Sequence, residues 1–376
     1  MTMSASAQSG RYEQFAALLA QDPQNPPLLL DAAEAAFAEE RFAEAQRHLA
    51  HRAAIAPLPA HALHLAGLVE MRLLAWDRAA EHFQLLFDSG ADAPPVRFNL
   101  AWSLAMSRKF AEALALLDEP TSAQLPQAAQ LEVQLLHQLG EFDRAGERAR
   151  ALIELHPEHR GLNAVVSTLA IDIEDAELAM RCARQAGDHP DALATLGTLA
   201  LGEDEPDAAA QLFDAALARN PEAPRAWLGR GLARLLTEDK ARAAVEIDRG
   251  AELFGTHLGS WIAAGWAHLL AGDQATARAR FERALSLDEN FSEAHGSLAV
   301  LDLLAGDLDR AKRGTEVALR LDRQSFSGAL GAMLLAAGAG DKDRAQRIFE
   351  TALSTPIDAN GRTIAQSLAR LGGRIG

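Results

Sequence analysis

A single cysteine, Cys182, in 376 residues excludes an intramolecular disulfide framework and a cysteine-rich zinc site. Aromatic residues are scarce, at 5% of the chain. Cations are outnumbered, 36 Lys and Arg against 52 Asp and Glu, for a net charge of −16. Binding to a nucleic-acid backbone is driven by basic contacts, so this balance argues against nucleic acid as a partner, and likewise against an anionic membrane surface. A solvated acidic exterior accounts for it. No run approaches the roughly 18 apolar residues of a membrane span, and the opening MTMSASAQSGRYEQ lacks the apolar core of a secretory signal. HExxH, GxSxG, P-loop and GxGxxG patterns are missing. The expectation from these absences is a soluble, cytoplasmic chain with no cofactor, no metal and no catalytic site. Its Ala/Leu/Arg bias points to a bacterial source.

What the chain does have is a period. From Leu258 to Ser325 one pattern occurs twice, 34 residues apart. Trp261, Gly265, Gly272, Ala277, Phe281, Ala284 and Leu285 stand in the first copy, and Gly306, Ala311, Ala318 and Leu319 repeat its latter part in register. Downstream lie Gly340, Ala345, Phe349, Ala352 and Leu353; upstream lie Trp227, Gly231, Ala243 and Ile247, then Gly197, Ala209, Phe213, Ala216 and Pro221. A fixed period of this length signals stacked supersecondary units, in which each repeat need contact only its neighbours.

These residues resemble the tetratricopeptide repeat (TPR), a helix–turn–helix unit of that period with a W…L-G…Y…A…F…A…P pattern. Each position has a physical reason. Small residues at the eighth and twentieth places (Gly265 and Ala277 in one repeat) let the two helices, A and B, approach closely. Gly at the fifteenth (Gly272, Gly306, Gly340) suits a left-handed residue ending helix A. The resemblance implies an all-α, right-handed solenoid of antiparallel helix pairs. It spans roughly residues 10 to 371 and leaves no room for a separate catalytic domain.

In order, residues 1–9 are expected to be disordered and 10–25 to hold a capping helix. Four repeats fill 26–159, with a loop bracketed by Pro120 and Pro126. A shortened, degenerate repeat over 160–189, turning at Asp172 to Asp175, is a candidate hinge. Five repeats fill 190–359, and a capping helix and tail fill 360–376, where Ile364, Leu368 and Leu371 have helical spacing.

In TPR proteins the concave face is lined mainly by helix A, commonly at positions two, five, nine and twelve. In the first block these positions give His64, Leu68, Phe98, Trp102, Gln130, Gln134 and His137, a mixed aromatic and amide surface. In the second they give Leu228, Leu232, Ile262, Trp266 and Val300. The position-twelve leucines Leu235, Leu269 and Leu303 are expected to be buried, with positions five and nine partly open. Trp266 and its counterpart Trp102 are the candidate anchors, because large aromatics dominate binding hot spots; Trp227 and Trp261 are expected to be structural. Only Asn99 matches a carboxylate-clamp residue, so capture of an acidic chaperone tail is rejected. Position eleven, usually aromatic, carries Arg234, His268 and Asp302, and Arg230 replaces an apolar residue at position seven. This polar ladder is expected either to form one compensating network or to read a charged group on a partner. The histidine pairs His48/His51 and His61/His64 share helix faces but lack converging ligands for zinc. The functional expectation is a non-catalytic scaffold holding a peptide segment or partner protein in its groove. The alternatives are a self-associating structural protein using the apolar face as a homo-oligomer interface, or an accessory subunit that positions a catalytic or secretion partner.

Overall fold

The computed structural model describes residues 10–237 and 239–354. The expected disorder over 1–9 and the expected terminal helix over 360–376 lie outside the described residues. Among those described there are 22 α-helices and no strand. They divide into two compact units between Leu162 and Asn163.

The first unit opens with α1 (Arg11–Leu19), which packs on the first helix pair, α2 (Pro26–Ala38) and α3 (Phe42–Ile55). Pairs α4 (Ala60–Arg72) with α5 (Trp76–Asp88), and α6 (Pro94–Met106) with α7 (Phe110–Leu116), follow. The fourth pair is α9 (Pro126–Gln138) with α10 (Phe142–Leu155). Between α7 and α9 the expected loop is instead a short helix, α8 (Glu119–Gln124). Local chemistry explains the difference. Asp118 caps it by accepting from the Thr121 amide at 3.1 Å, Pro120 stands in its first turn, and Thr121 and Ser122 are wholly buried.

The second unit begins within α11 (Arg160–Asp172), followed by α12 (Ala176–Ala186), whose 11 residues fall three short of α10. The turn between them lies where the sequence places it, and Asp175 caps α12 through the Leu178 amide. Regular pairs follow: α13 (Pro190–Gly202) with α14 (Pro206–Arg219), α15 (Pro224–Leu236) with α16 (Lys240–Phe254), and α17 (Leu258–Leu270) with α18 (Gln274–Leu287). The last two are α19 (Ser292–Leu304) with α20 (Leu308–Leu321), and α21 (Phe326–Gly338) with α22 (Lys342–Ser354). Odd and even members alternate as helices A and B.

On three B helices, α5, α14 and α18, a wholly buried aromatic fills the junction: Phe83, Phe213 and Phe281. Phe213 of α14 is wholly buried between Gly197 of α13 and Gly229 of α15. A Cβ on either glycine would stand 2.8 or 2.2 Å from its ring, closer than real carbon contacts allow. One aromatic therefore joins its own repeat to the next. Large-to-small replacement of such a ring removes both contacts together.

Candidate binding surface

In the first unit the expected groove residues lie on the A helices and are partly open. His64 and Leu68 on α4 are half-buried, as are Phe98 and Trp102 on α6 and Gln130 and His137 on α9; Gln134 is exposed. The His64 ring meets Phe83 edge-on at 5.9 Å, and burial holds its pKa below the ordinary value. Phe98 and Trp102, one turn apart on α6, face each other at 6.0 Å. His137 meets Phe142 edge-on at 5.8 Å. The surface is aromatic and amide-bearing, with hydrogen-bonding capacity free on Gln134.

In the second unit Leu232 is 37% exposed, and Leu228, Ile262 and Trp266 are half-buried. Trp266 leans edge-on against Phe281 at 5.7 Å, so one side of its ring is fixed while part of it stays open. Trp261 differs: it is 6% exposed, and its indole N–H donates to the Gly255 carbonyl at 2.8 Å. Trp227 donates likewise to Pro221, with the Arg230 guanidinium over its ring. Two expectations need correction. Leu235, Leu269 and Leu303 at position twelve are half-buried rather than core. Val300, expected to be partly open, is 3% exposed. Helices α19 and α21 approach unusually closely there. A Cβ on Gly296, one turn before Val300, would stand 2.4 Å from the Gly328 nitrogen, and Ser297 donates to Ser327 at 3.1 Å. Small residues draw the neighbouring helix over that face.

The polar ladder is not one network. Arg234, His268 and Asp302 each reach B helices instead of one another. Arg234 meets Glu246 of α16 at 2.7 Å, and Arg230 meets the same carboxylate at 3.2 Å and Asp214 at 2.8 Å. His268 faces Asp248 at 3.6 Å, whose carboxylate is held by a two-pronged Arg280 at 2.5 and 2.6 Å. That pair keeps the Arg280 pKa above its ordinary value. Asp302 accepts from Arg278 of α18 at 2.5 Å and pairs with Arg310 of α20 at 3.6 Å. The separation of equivalent A-helix positions places B-helix groups between them.

The structure also assembles two ion clusters that the sequence reading missed. Glu70, buried on α4, accepts from Gln46 of α3 at 2.9 and 3.0 Å and pairs with Arg78 of α5 at 3.1 Å. The same sequence offset separates Gln46 from Arg278, Glu70 from Asp302, and Arg78 from Arg310. An acid at position eleven thus clasps the preceding and its own B helix in both units. Buried Glu132 of α9 holds Arg148 of α10 at 2.6 Å, and their hydrogen bond raises the arginine's pKa. Arg230 and Glu246 occupy the same two repeat positions with the charges exchanged. The available signal was the charge itself, since isolated acids and bases within helices of such strong apolar period invite a search for partners. Among the described residues no group of three or more His, Cys, Asp or Glu side chains is arranged to hold a metal ion, and no described helix is long and apolar enough to cross a membrane.

Residues 194–255 match the tetratricopeptide repeat family model. No curated protein matches the chain in sequence. Among solved structures, the monomeric mutant of IFIT1 with Gppp-AAAA aligns over 91% of this chain and 94% of its own, at 10% identity and a TM-score of 0.56. A chain of the APC/C hetero-tetramer Cut9-Hcn1 aligns over 94% of this chain and 86% of its own, at 14% identity and a TM-score of 0.53. At such identities the likeness is one of fold. The family match covers residues 194–255, and the repeat period and the helix pairs carry the tetratricopeptide-repeat fold along the described residues.

Proposed function

We propose that the protein is a non-catalytic scaffold that holds a peptide segment or partner protein on the face of its A helices. The observation that carries this reading is the contrast between two tryptophans five residues apart on α17. Trp261 is packed and hydrogen-bonded, whereas Trp266 is braced on Phe281 and left partly open. An aromatic that is rigid and still accessible loses little entropy on binding. Phe98 and Trp102 give the first unit a similar platform. The partner is a protein rather than a nucleic acid: the net charge is −16, and Arg230 and Arg234 on this face are engaged by Glu246. The Gppp-AAAA in the IFIT1 structure is therefore not transferred to this chain. A cytoplasmic, bacterial setting fits the same composition.

The test uses the full chain in its native extract. A photo-crosslinking residue is placed at Trp266 or, as an outer-face control, at Leu85 of α5, which is exposed. The expected result is a discrete adduct from position 266 and none from 85. Trp266→Ala should then weaken the identified partner by about 20-fold or more with an unchanged helical spectrum, whereas Trp261→Ala should mainly lower stability. Equal labelling from both sites, or undiminished binding by Trp266→Ala, overturns the assignment. Self-association is the second reading. It is favoured by Leu236, Leu270 and Leu304, which occupy one repeat position and are all exposed, and a mass that rises with concentration in light scattering would support it.

A further inference from the structure

Helix α22 ends the described array with its packing face open. It buries no residue, and its Phe349 is 44% exposed. Phe349 stands at the repeat position of Phe213, Ile247, Phe281 and Thr315, all of them buried. The A helix that follows is what covers this position. Gly229 of α15 lies against Phe213, and Gly331 of α21 against Thr315, so closely that an added Cβ would stand 2.2 and 2.6 Å away. Small residues hold that place in successive A helices from α15 to α21: Gly229, Ala263, Ser297 and Gly331. On α22 the open ring, with half-buried Ile348, Ala352 and Leu353 beside it, is apolar surface that gains from being covered.

The sequence beyond α22 carries the matching residues. Counting on by the repeat period puts Ala365 at the small-residue place, the one that seats on this ring. The same count puts Arg370 at the position of Arg234, His268 and Asp302. His268 faces Asp248, 20 residues before it, at 3.6 Å. Glu350 stands equally far before Arg370 and accepts from the neutral Gln346 amide of its own helix at 2.7 Å. Five residues separate α22 from position 360, against four between α18 and α19 and between α20 and α21, so the connection is long enough. One position departs: Arg362 stands where Ala226, Ser260, Ala294 and Gly328 are buried. With no further repeat beyond it, its stem can lie along the apolar surface while the guanidinium reaches water. We propose that residues 360–371 dock on the open face of α21 and α22 as one further A helix, with Ala365 seated on Phe349 and Arg370 paired with Glu350. The occupant is the chain's own segment because it is tethered, which raises its effective concentration over a free competitor, and because its register supplies both the small residue and the counter-charge. Docked so, Leu368 continues the position-nine row of Leu232, Trp266, Val300 and Leu334. That last consequence rests on the function proposed above; the docking does not.

The experiment follows amide hydrogen exchange in the full chain. Ala365→Arg, which sets a long cation against Phe349, should speed exchange across 345–353 by about tenfold or more and leave 224–287 unchanged. Glu350→Arg should act likewise, and Arg370→Glu added to it should restore the protection. Unchanged exchange in Ala365→Arg overturns the proposal, as does a double variant no better protected than Glu350→Arg. The occupant is checked with cysteines at both places, Glu350→Cys with Arg370→Cys. Oxidation should close a disulfide within one chain, whereas a disulfide between two chains would assign the face to a second copy and overturn the proposal. A photo-crosslinking residue at Leu368 should give the adduct found from position 266. An adduct from 266 alone would remove Leu368 from the face. Adducts from neither, with the exchange effects present, would count against the proposed function and not against the docking.

Discussion

The two units build the same turn from different residues. Nine A helices from α2 to α21 are each followed by a residue with positive φ; the equivalent position after α15, 238, lies outside the described residues. In the first unit these are Glu40, Leu74, Arg108 and Gly140; in the second they are Glu174, Asp204, Gly272, Gly306 and Gly340. The B helices differ in step. In the second unit α16, α18 and α20 carry capping aspartates, Asp239, Asp273 and Asp307. In the first, α3, α5, α7 and α10 have no side-chain cap. Antiparallel packing of A on B dictates the left-handed residue, and the local sequence only sets its cost. L-residues other than glycine enter that region at roughly 1–2 kcal/mol, so the first unit holds strain that the last three glycine turns do not. Leu74 is the extreme case, with an apolar side chain 68% exposed at a φ of 59°.

The contrast between the units can be broken or sharpened experimentally. The largest effect is expected at the exchanged ion pairs. Glu246 is buried and serves Arg230, Arg234 and Arg242. Glu246→Ala should cost about 3 kcal/mol or more, because it takes the carboxylate from part-buried Arg234 and leaves part-buried Arg230 with Asp214 alone. Glu132→Ala orphans only Arg148 and should cost about 1–2 kcal/mol. Denaturant melts that give equal losses would show that the extra arginines contribute nothing. Next come the turns: Leu74→Gly and Arg108→Gly should each stabilise by about 1 kcal/mol, and Gly272→Ala should destabilise by a similar amount. A melting temperature indifferent to all three would remove the strain argument. The smallest effect concerns 160–189, which we propose opens locally more readily than the regular repeats because α12 is short. Its amides should exchange faster than those of 224–325, and uniform protection would dismiss a hinge there.

Much of this architecture was legible because the repeat period is written in small and apolar residues. Gly265, Ala277 and Phe281 must occupy fixed places for two helices to touch, so their spacing betrays the pair. The turn was legible only where glycine marks it. Glu174 adopts the same conformation and looks like any surface acid, which is why 160–189 reads as degenerate although its turn is regular. Ion partners were the least legible part. Periodicity places Glu70, Arg234 and Asp302 at one repeat position but says nothing about which B helix their side chains reach. Val300 was misjudged for a related reason: its exposure depends on how closely α21 approaches, and that distance is set by Gly296 and Gly328 rather than by its own position.

The two kinds of ion cluster make the repeats unequal as building blocks. The pairs Glu132–Arg148 and Arg230–Glu246 lie inside single repeats. A duplicated or transplanted repeat would carry such a pair whole, although Arg230 also reaches Asp214 in the repeat before. The clasps at Glu70 and Asp302 take one partner from the repeat before, Gln46 or Arg278. Excising or inserting a single repeat at those seams would separate acid from partner. Rearrangement should therefore be tolerated in blocks that keep α3 with α4 and α18 with α19, so the units of inheritance in this array are set by buried charge as well as by the repeat itself.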